Sequence, residues 1–317
     1  MRDATEAAAL EPGSGLGDDA RNPGPAKQSD THSMARVYTR RFFRHRLAAA
    51  GLVVLVLVTL SAILAPYMTQ DPNALSASER KAAPSLAHWF GTDEAGRDIL
   101  ARTLHGGRIS IAVGLIATGI SLLIGTLVGA VAGYFGGLVD AALMRLTDAF
   151  LCFPQLFVLI VFGTLIRTTE LRVLQGNMIP IAIIIGLLSW MGLARIVRAT
   201  FLALREQDYV EAARSVGAGN GRIMLRHVLP GAVGPIVVQA TLLIAVTIIT
   251  ESGLSYLGFG VQPPTSSWGN LLEGAKPFLQ TLPVYAIAPG MMIFLTVMSI
   301  NFVGDGLRDA LDPHSRH

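Results

Sequence analysis

The stretch ISIAVGLIATGISLLIGTLVGAVA, residues 109–132, decides the fold, because 24 consecutive positions carry no Asp, Glu, Lys, Arg or His. Crossing a bilayer takes about 20 apolar residues in a helix. Lipid offers no water to exposed backbone groups, so a run of this length reads as a membrane helix. Outward from it, the same criterion finds Leu47 to Ala65, Phe150 to Ile166, Met178 to Ala194, Gly231 to Thr250 and Pro283 to Gly304, all equally free of those five residue types. The 317-residue chain is 51% hydrophobic and 15% charged, with a mean hydropathy of +0.51. Soluble domains are about 25% charged, so an ordinary soluble enzyme is excluded. The expectation is an all-α integral membrane protein with six transmembrane helices.

Lys and Arg orient it. If the N-terminus is cytoplasmic, segments 1–46, 133–149, 195–230 and 305–317 hold 17 basic residues, and the outer segments 67–108, 167–177 and 251–282 hold 8. That bias predicts both termini inside, with Arg36, Arg40, Arg41, Arg44 and Arg46 flanking the first helix. These arginines also account for the pI near 9.2, so no nucleic-acid partner is required. Residues 1–40 read as a disordered cytoplasmic tail, poor in bulky apolar side chains. Residues 41–108 form the first helix and an outer loop, 109–304 a core with a cytoplasmic loop at 195–230, and 305–317 a second tail. The first apolar run is too long, and too far from the start, for a cleaved signal peptide.

Missing motifs exclude chemistry. The only lysines are Lys27, Lys81 and Lys276, and none follows a glycine, so no phosphate-binding P-loop exists. His-Glu-x-x-His and Gly-x-Ser-x-Gly are absent, the seven histidines are scattered, and one cysteine, Cys152, forbids an internal disulfide. Cys152 reads as a small core side chain. Carboxylates bordering a span are Glu251, at the outer end of the fifth, and Asp305, at the inner end of the sixth. Each reads as a solvated helix end; Glu251 has a second reading, a polar group lining a substrate path or gate.

The loop between the fourth and fifth spans, Arg195 to Pro230, is too long for a simple connection. Asp208 followed by Glu211 matches a capping box, and Gly217 suits a left-handed C-terminal position, which predicts a two-turn helix from Tyr209 to Val216. Tyr209, Ala212, Ala213 and Val216 fall on one stripe. So short a helix is unstable alone, and its stripe docks either in a partner's groove or against this chain's own helices. A second short helix is expected from Arg222 to Pro230, stopped by the proline.

Glu211-Ala212-Ala213, three residues, Gly217, nine residues and His227-Val228-Leu229-Pro230 together resemble the EAA loop of bacterial ABC importer permeases. His227 stands where many such loops have isoleucine, as in the dipeptide, oligopeptide and nickel branch. Resemblance to that branch extends from about Arg41 to Pro313, through Gly91 to Asp98, Leu254 to Pro264 with Trp268-Gly269, and Asn301 to Pro313. It implies a type I ABC importer permease fold in the bacterial inner membrane and a second homologous permease sharing the path. It further implies two ATPase subunits that bind ATP and Mg and receive the 209–216 helix, and an extracytoplasmic binding protein. The implied cargo is peptide, with nickel or another small solute as the alternative. No cofactor is expected on this chain. An autonomous secondary carrier and a non-transporting scaffold are the readings from other classes.

Four further features carry structural readings. Asp93, Glu94 and Asp98, with Arg97 among them, lack the alternating ligands of a calcium loop and read as capping and local ion pairs. Ile99 to Leu104, after Trp89 and Phe90, reads as an interfacial helix. Asp140, Arg145 and Asp148 read most simply as a solvated face, with a helix-end pair of Arg145 and Asp148 at i+3 as the second reading. The loop from Glu251 to Leu282 reads structurally as a turn-rich outer cap and functionally as a segment that helps seal the path or meets the binding protein.

Overall fold

A computed structural model describes residues 34–168 and 177–311, and within them every extended element is α-helical apart from one bridge between Thr92 and Asp98. The residues ahead of Met34, those of the 169–176 loop and those after Leu311 lie outside the described set, as does the greater part of the expected tail. Four stretches are individually long and apolar enough to span a bilayer: α2 (Arg46–Met68), α3 (Ile99–Phe135), Asn220–Tyr256, and α12 (Val284–Leu311). The other two are bent pairs, α4 (Gly137–Leu151) with α5 (Gln155–Thr168) at 72°, and α6 (Ile179–Leu187) with α7 (Met191–Leu204) at 46°.

Those bends correct two of the expected spans. Phe150 to Ile166 contains a break at Cys152 to Pro154, where Pro154 lacks an amide and disfavours helical geometry in the residue before it. Cys152 sits at that break and is exposed, so it is not a core side chain. Met178 to Ala194 breaks at Leu188 to Trp190, where Ser189 Oγ lies 3.0 Å from Gln155 Nε2. The segment 133–149 is no loop: after Gly136 it becomes α4. Its Asp140 and Asp148 pair across to α7, with Arg198 and Arg195 (2.6 Å), and Arg145 is not the partner of Asp148.

Three other expectations shift. Ile99 to Leu104 is the first turn and a half of α3, capped by Asp98 Oδ1 accepting from Ala101 N at 2.7 Å, and Ile99 and Thr103 are buried within the protein. Residues 34–40 belong to α1 (Met34–Arg44), ordered because Phe42 buries against Ala48 and Ala310. At the other end α12 continues through Asp305 to Leu311, shortening the expected C-terminal tail.

α3 is the axis of the bundle. Its Gly125, Gly129 and Gly133 line one stripe against α7; a methyl added at Gly125 would come within 2.9 Å of the Trp190 carbonyl oxygen, and one at Gly133 within 2.6 Å of that of Arg198. Small residues let the two backbones approach this closely. Hydroxyl bonds add to the packing, from Ser121 Oγ to Gly186 O (2.8 Å) and from Thr247 Oγ1 to Gly114 O (3.2 Å). The outward faces of α2, α5, α10 (Leu229–Tyr256) and α12 expose Leu57, Ile63, Phe157, Val161, Val246, Ile249 and Phe294, a distribution that suits a lipid solvent.

Candidate coupling surface

At the end of the bundle where α3 finishes, the chain leaves α7 at Leu204 and makes α8 (Asp208–Ser215), α9 (Asn220–Ile223) and a π-helical stretch, Met224–Val228, before entering α10. Pro230 does not stop the second short helix. It opens α10 in the first turn, where its missing amide costs nothing, and the π stretch carries the backbone across the join, with Leu229 N donating to Met224 O.

The cap of α8 differs from the expected box. Gln207 is the N-cap and no side chain caps the helix, while Asp208 and Glu211 sit exposed in its first turn. Their charges still favour the positive end of the helix, as Arg214 in the last turn favours the negative end. The C-terminus forms as expected. Gly217 adopts φ +83, its N–H donates to Arg214 O at 3.0 Å, and Ala218 N donates to Ala213 O at 3.1 Å, the paired bonds of a Schellman turn.

The expected four-residue stripe splits in two. Ala213 faces inward with Val210, and both join a buried cluster with Phe201, Val197, Ile223, Val228 and Tyr134. Tyr209, Ala212 and Val216, at i, i+3 and i+7, face outward; Tyr209 is 46% and Val216 85% exposed. The second of the two alternatives, packing against this chain's own helices, therefore holds for one face. One face seats α8 on its own protein. The other is an unpaired apolar stripe.

Polar contacts that local spacing does not reveal tie this surface to α3. Arg205 Nη1 donates to the carbonyls of Gly133 and Tyr134, both at 3.2 Å, and Tyr134 Oη donates to Asn220 Oδ1 at 3.1 Å. Arg198 grips Asp140 through two bonds, the Nη2 to Oδ2 arm at 2.6 Å. These partners lie 58 to 86 positions apart in sequence, so residue type alone was their only signal.

Glu251 is elsewhere and is not a solvated helix end. It is completely buried, because α10 continues past it to Tyr256, and its carboxylate accepts from Ser255 Oγ (2.7 Å), Ser110 Oγ (2.9 Å) and Ser252 Oγ (3.4 Å). Ser110 Oγ in turn accepts from Trp268 N at 3.1 Å, and Ser255 Oγ from Val261 N at 3.1 Å. Glu251 thus joins α3, α10 and α11 (Trp268–Ala275). In the loop before α3, Asp93 is fully buried and receives Arg97 Nε at 2.8 Å and Arg102 Nη1 at 2.7 Å. Arg102 also donates to Tyr285 Oη at 3.1 Å and Ser266 Oγ at 3.3 Å. Asp93 and Asp98 thus form the expected ion pair and helix cap, while Glu94 is exposed.

A third feature is a largely apolar cavity of about 730 Å³ at the two helix breaks, lined by Phe150, Phe153, Gln155, Phe162, Trp190 and Met191 among others.

Residues 125–317 match the family described as binding-protein-dependent transport system inner membrane component, and residues 33–84 match the N-terminal transmembrane domain of oligopeptide transport permease C. The chain is 40% identical over 297 residues to an oligopeptide transport system permease protein of Haemophilus influenzae, covering 91% of each chain. It is 39% identical over 303 residues to the corresponding protein of Bacillus subtilis, covering 94% of this chain and 96% of the relative. It is 38% identical over 293 residues to a dipeptide transport system permease protein of Alkalihalophilus pseudofirmus, covering 92% and 94%. With four to six apolar helices and no phosphate-binding motif, the chain belongs to the family of membrane-embedded permease components of binding-protein-dependent transport systems, which are transport subunits rather than enzymes.

Proposed function

We propose that this chain is one of two permease subunits of an ATP-driven peptide importer in the bacterial inner membrane, crossing it six times with both termini cytoplasmic. The observation that carries the reading is the outward stripe of Tyr209, Ala212 and Val216 on a helix whose inward face is seated in the protein core. An apolar stripe presented to water is unfavourable unless something covers it. A groove on an ATP- and Mg-binding subunit is the occupant we assign. Asp208 and Glu211, exposed beside the stripe, and Gly217, which shapes its end, complete the coupling site.

The function then follows mechanically. Nucleotide-driven closure of two ATPase subunits pushes α8. Because Val210 and Ala213 bind it to α7 and α10, and Arg205 and Asn220 bind its flanks to α3, the push passes into the spanning helices. An extracytoplasmic binding protein delivers peptide at the opposite end, and a second permease closes the path against the open apolar side formed by α4, α5 and α6. The names and coverage of the relatives favour dipeptides or oligopeptides as cargo.

The test is site-directed crosslinking in the assembled complex. Reagents placed at positions 209, 212 and 216 are expected to capture an ATP-hydrolysing subunit, and one at 213 only this chain. Capture confined to this chain from all four positions would remove the coupling role.

A further inference from the structure

The end of the bundle away from the coupling surface holds a cleft of mixed polar and apolar lining that the mechanism above does not use. It has a volume of about 380 Å³, open on one side, between the first turns of α3, the turn after α2, the residue leading into α6 and the loop before α11. His105 and Arg108 line it from one face of α3, with Asn73, Thr265, Ser266 and Met178 around them, and no carboxylate is among its lining residues. Arg108 stands 26 positions before Tyr134 on α3, or about 39 Å at 1.5 Å per residue. The cavity and the coupling surface are therefore a full bilayer apart.

Two arginines on neighbouring turns of α3 contrast. Arg102 is buried and saturated by Asp93, Ser266 and Tyr285. Arg108 is exposed and, among the described residues, makes no ion pair. Asp71, the acidic residue nearest in the turn after α2, accepts from Asn73 N at 2.9 Å and does not line the cavity. His105 Nδ1 lies 2.9 Å from the Ala101 carbonyl. That bond fixes the proton on Nδ1 and leaves Nε2 available.

We propose that this cavity is a substrate-entry site that takes the C-terminal carboxylate of a peptide on its way from the binding protein into the path, held by Arg108. The assignment rests on the peptide-importer reading. A guanidinium offers a fork of donors matched to two carboxylate oxygens. Ile109, Met178 and Pro264 supply an apolar wall for the last side chain, and the volume falls in the range of small-ligand pockets, roughly 300–1,000 Å³. A surface carboxylate of the docked binding protein would not use that apolar wall.

The experiment uses the complete complex in liposomes with saturating binding protein, preloaded with one peptide either as the free acid or as its C-terminal amide. This removes the binding protein's own selectivity. Arg108→Gln is expected to slow uptake of the free acid about tenfold, the size of one lost charge-assisted bond, and uptake of the amide less than about twofold. Arg108→Lys, which keeps the charge without the fork, should fall between. Co-purification checks assembly. Equal losses for acid and amide would overturn the proposal in favour of a docking role, and unchanged rates for both would overturn it outright. If the wild-type complex moves neither peptide, the importer reading fails and the entry site with it, a result distinct from normal uptake by Arg108→Gln.

Discussion

The two ends of this protein are held together by different physics. At one end Asp93 and Glu251, both completely buried, draw α3, α10, α11 and α12 together: arginine and serine groups donate to the two carboxylates, and Arg102 donates onward to the Tyr285 hydroxyl. At the other, α8 is eight residues long, lacks a side-chain N-cap, and is seated chiefly by Val210 and Ala213. A buried charge network tolerates little displacement, because any movement leaves a charge unpaired in a dry interior. A small helix seated by two aliphatic side chains forms a compact lever with an exposed face. The contrast separates an end sealed by buried charge from one lightly seated by apolar contact.

The largest expected effect comes from breaking the sealed end. Asp93→Ala leaves Arg102 buried without its carboxylate, which costs about 3–5 kcal/mol when a buried pair loses one partner. Thermal unfolding in detergent should show the loss, together with protease cleavage between residues 71 and 98. At the lightly seated end a pair of variants sharpens the comparison. Ala213→Asp forces a charge among Val210, Ile223 and Val228 and should unseat α8, at about 1–3 kcal/mol of local stability. Ala212→Asp puts the same charge on the outward face. It should leave the melting temperature within about 1 °C, as surface substitutions do, yet weaken co-purification of the ATPase subunits. If the two variants behaved alike, the inward and outward assignment of α8 would be wrong. Gly217→Val should cost less, about 1–2 kcal/mol for a side chain held in the left-handed region, read as faster amide exchange confined to residues 208–218.

How much of this was legible in sequence depended on the range of the interaction concerned. The apolar runs and the Gly217 turn follow from local composition and backbone sterics; the turn and four of the six runs appear as expected, while Phe150 to Ile166 and Met178 to Ala194 break at Pro154 and near Ser189. The reading of Tyr209 to Val216 as one stripe placed Ala212 and Ala213 together, because a period of 3.6 cannot say which side of an eight-residue helix meets its own protein. Asp208 and Glu211 matched a capping box by type and spacing, but Gln207 begins the helix one residue earlier than the box requires. Glu251 looked like a helix end only because the following residues are polar; Ser252 and Ser255 are polar in order to bond it. Gly125, Gly129 and Gly133 recur every fourth residue within an uncharged span, a visible signal for close packing, although nothing local names α7 as the partner. Arg145 was paired with Asp148 by proximity along the chain, whereas the bonds actually formed reach 47 and 58 positions to Arg195 and Arg198.

The smallest effect sharpens the comparison through pH. His88, buried in the loop between α2 and α3, places Nδ1 2.7 Å from Asp98 Oδ2 and Nε2 3.4 Å from Glu79. Its hydrogen bond to Asp98, with the charges of Asp98 and Glu79, holds its pKa above the usual 6.5 against the opposing effect of burial. A group whose pKa is raised on folding contributes stability that is complete below the unfolded value and is lost as pH climbs through the folded one. Amide exchange over residues 85–104, corrected for its intrinsic pH dependence, should therefore show full protection near pH 6 and a decline as pH rises past the raised value. The decline is modest, because Asp98 Oδ1 continues to cap α3 through Ala101 N whatever the charge on His88. His88→Gln should flatten the profile. The helical bonds of α8 involve no histidine, so its protection should stay level over the same interval, and a parallel decline there would show that the two ends are not independently held.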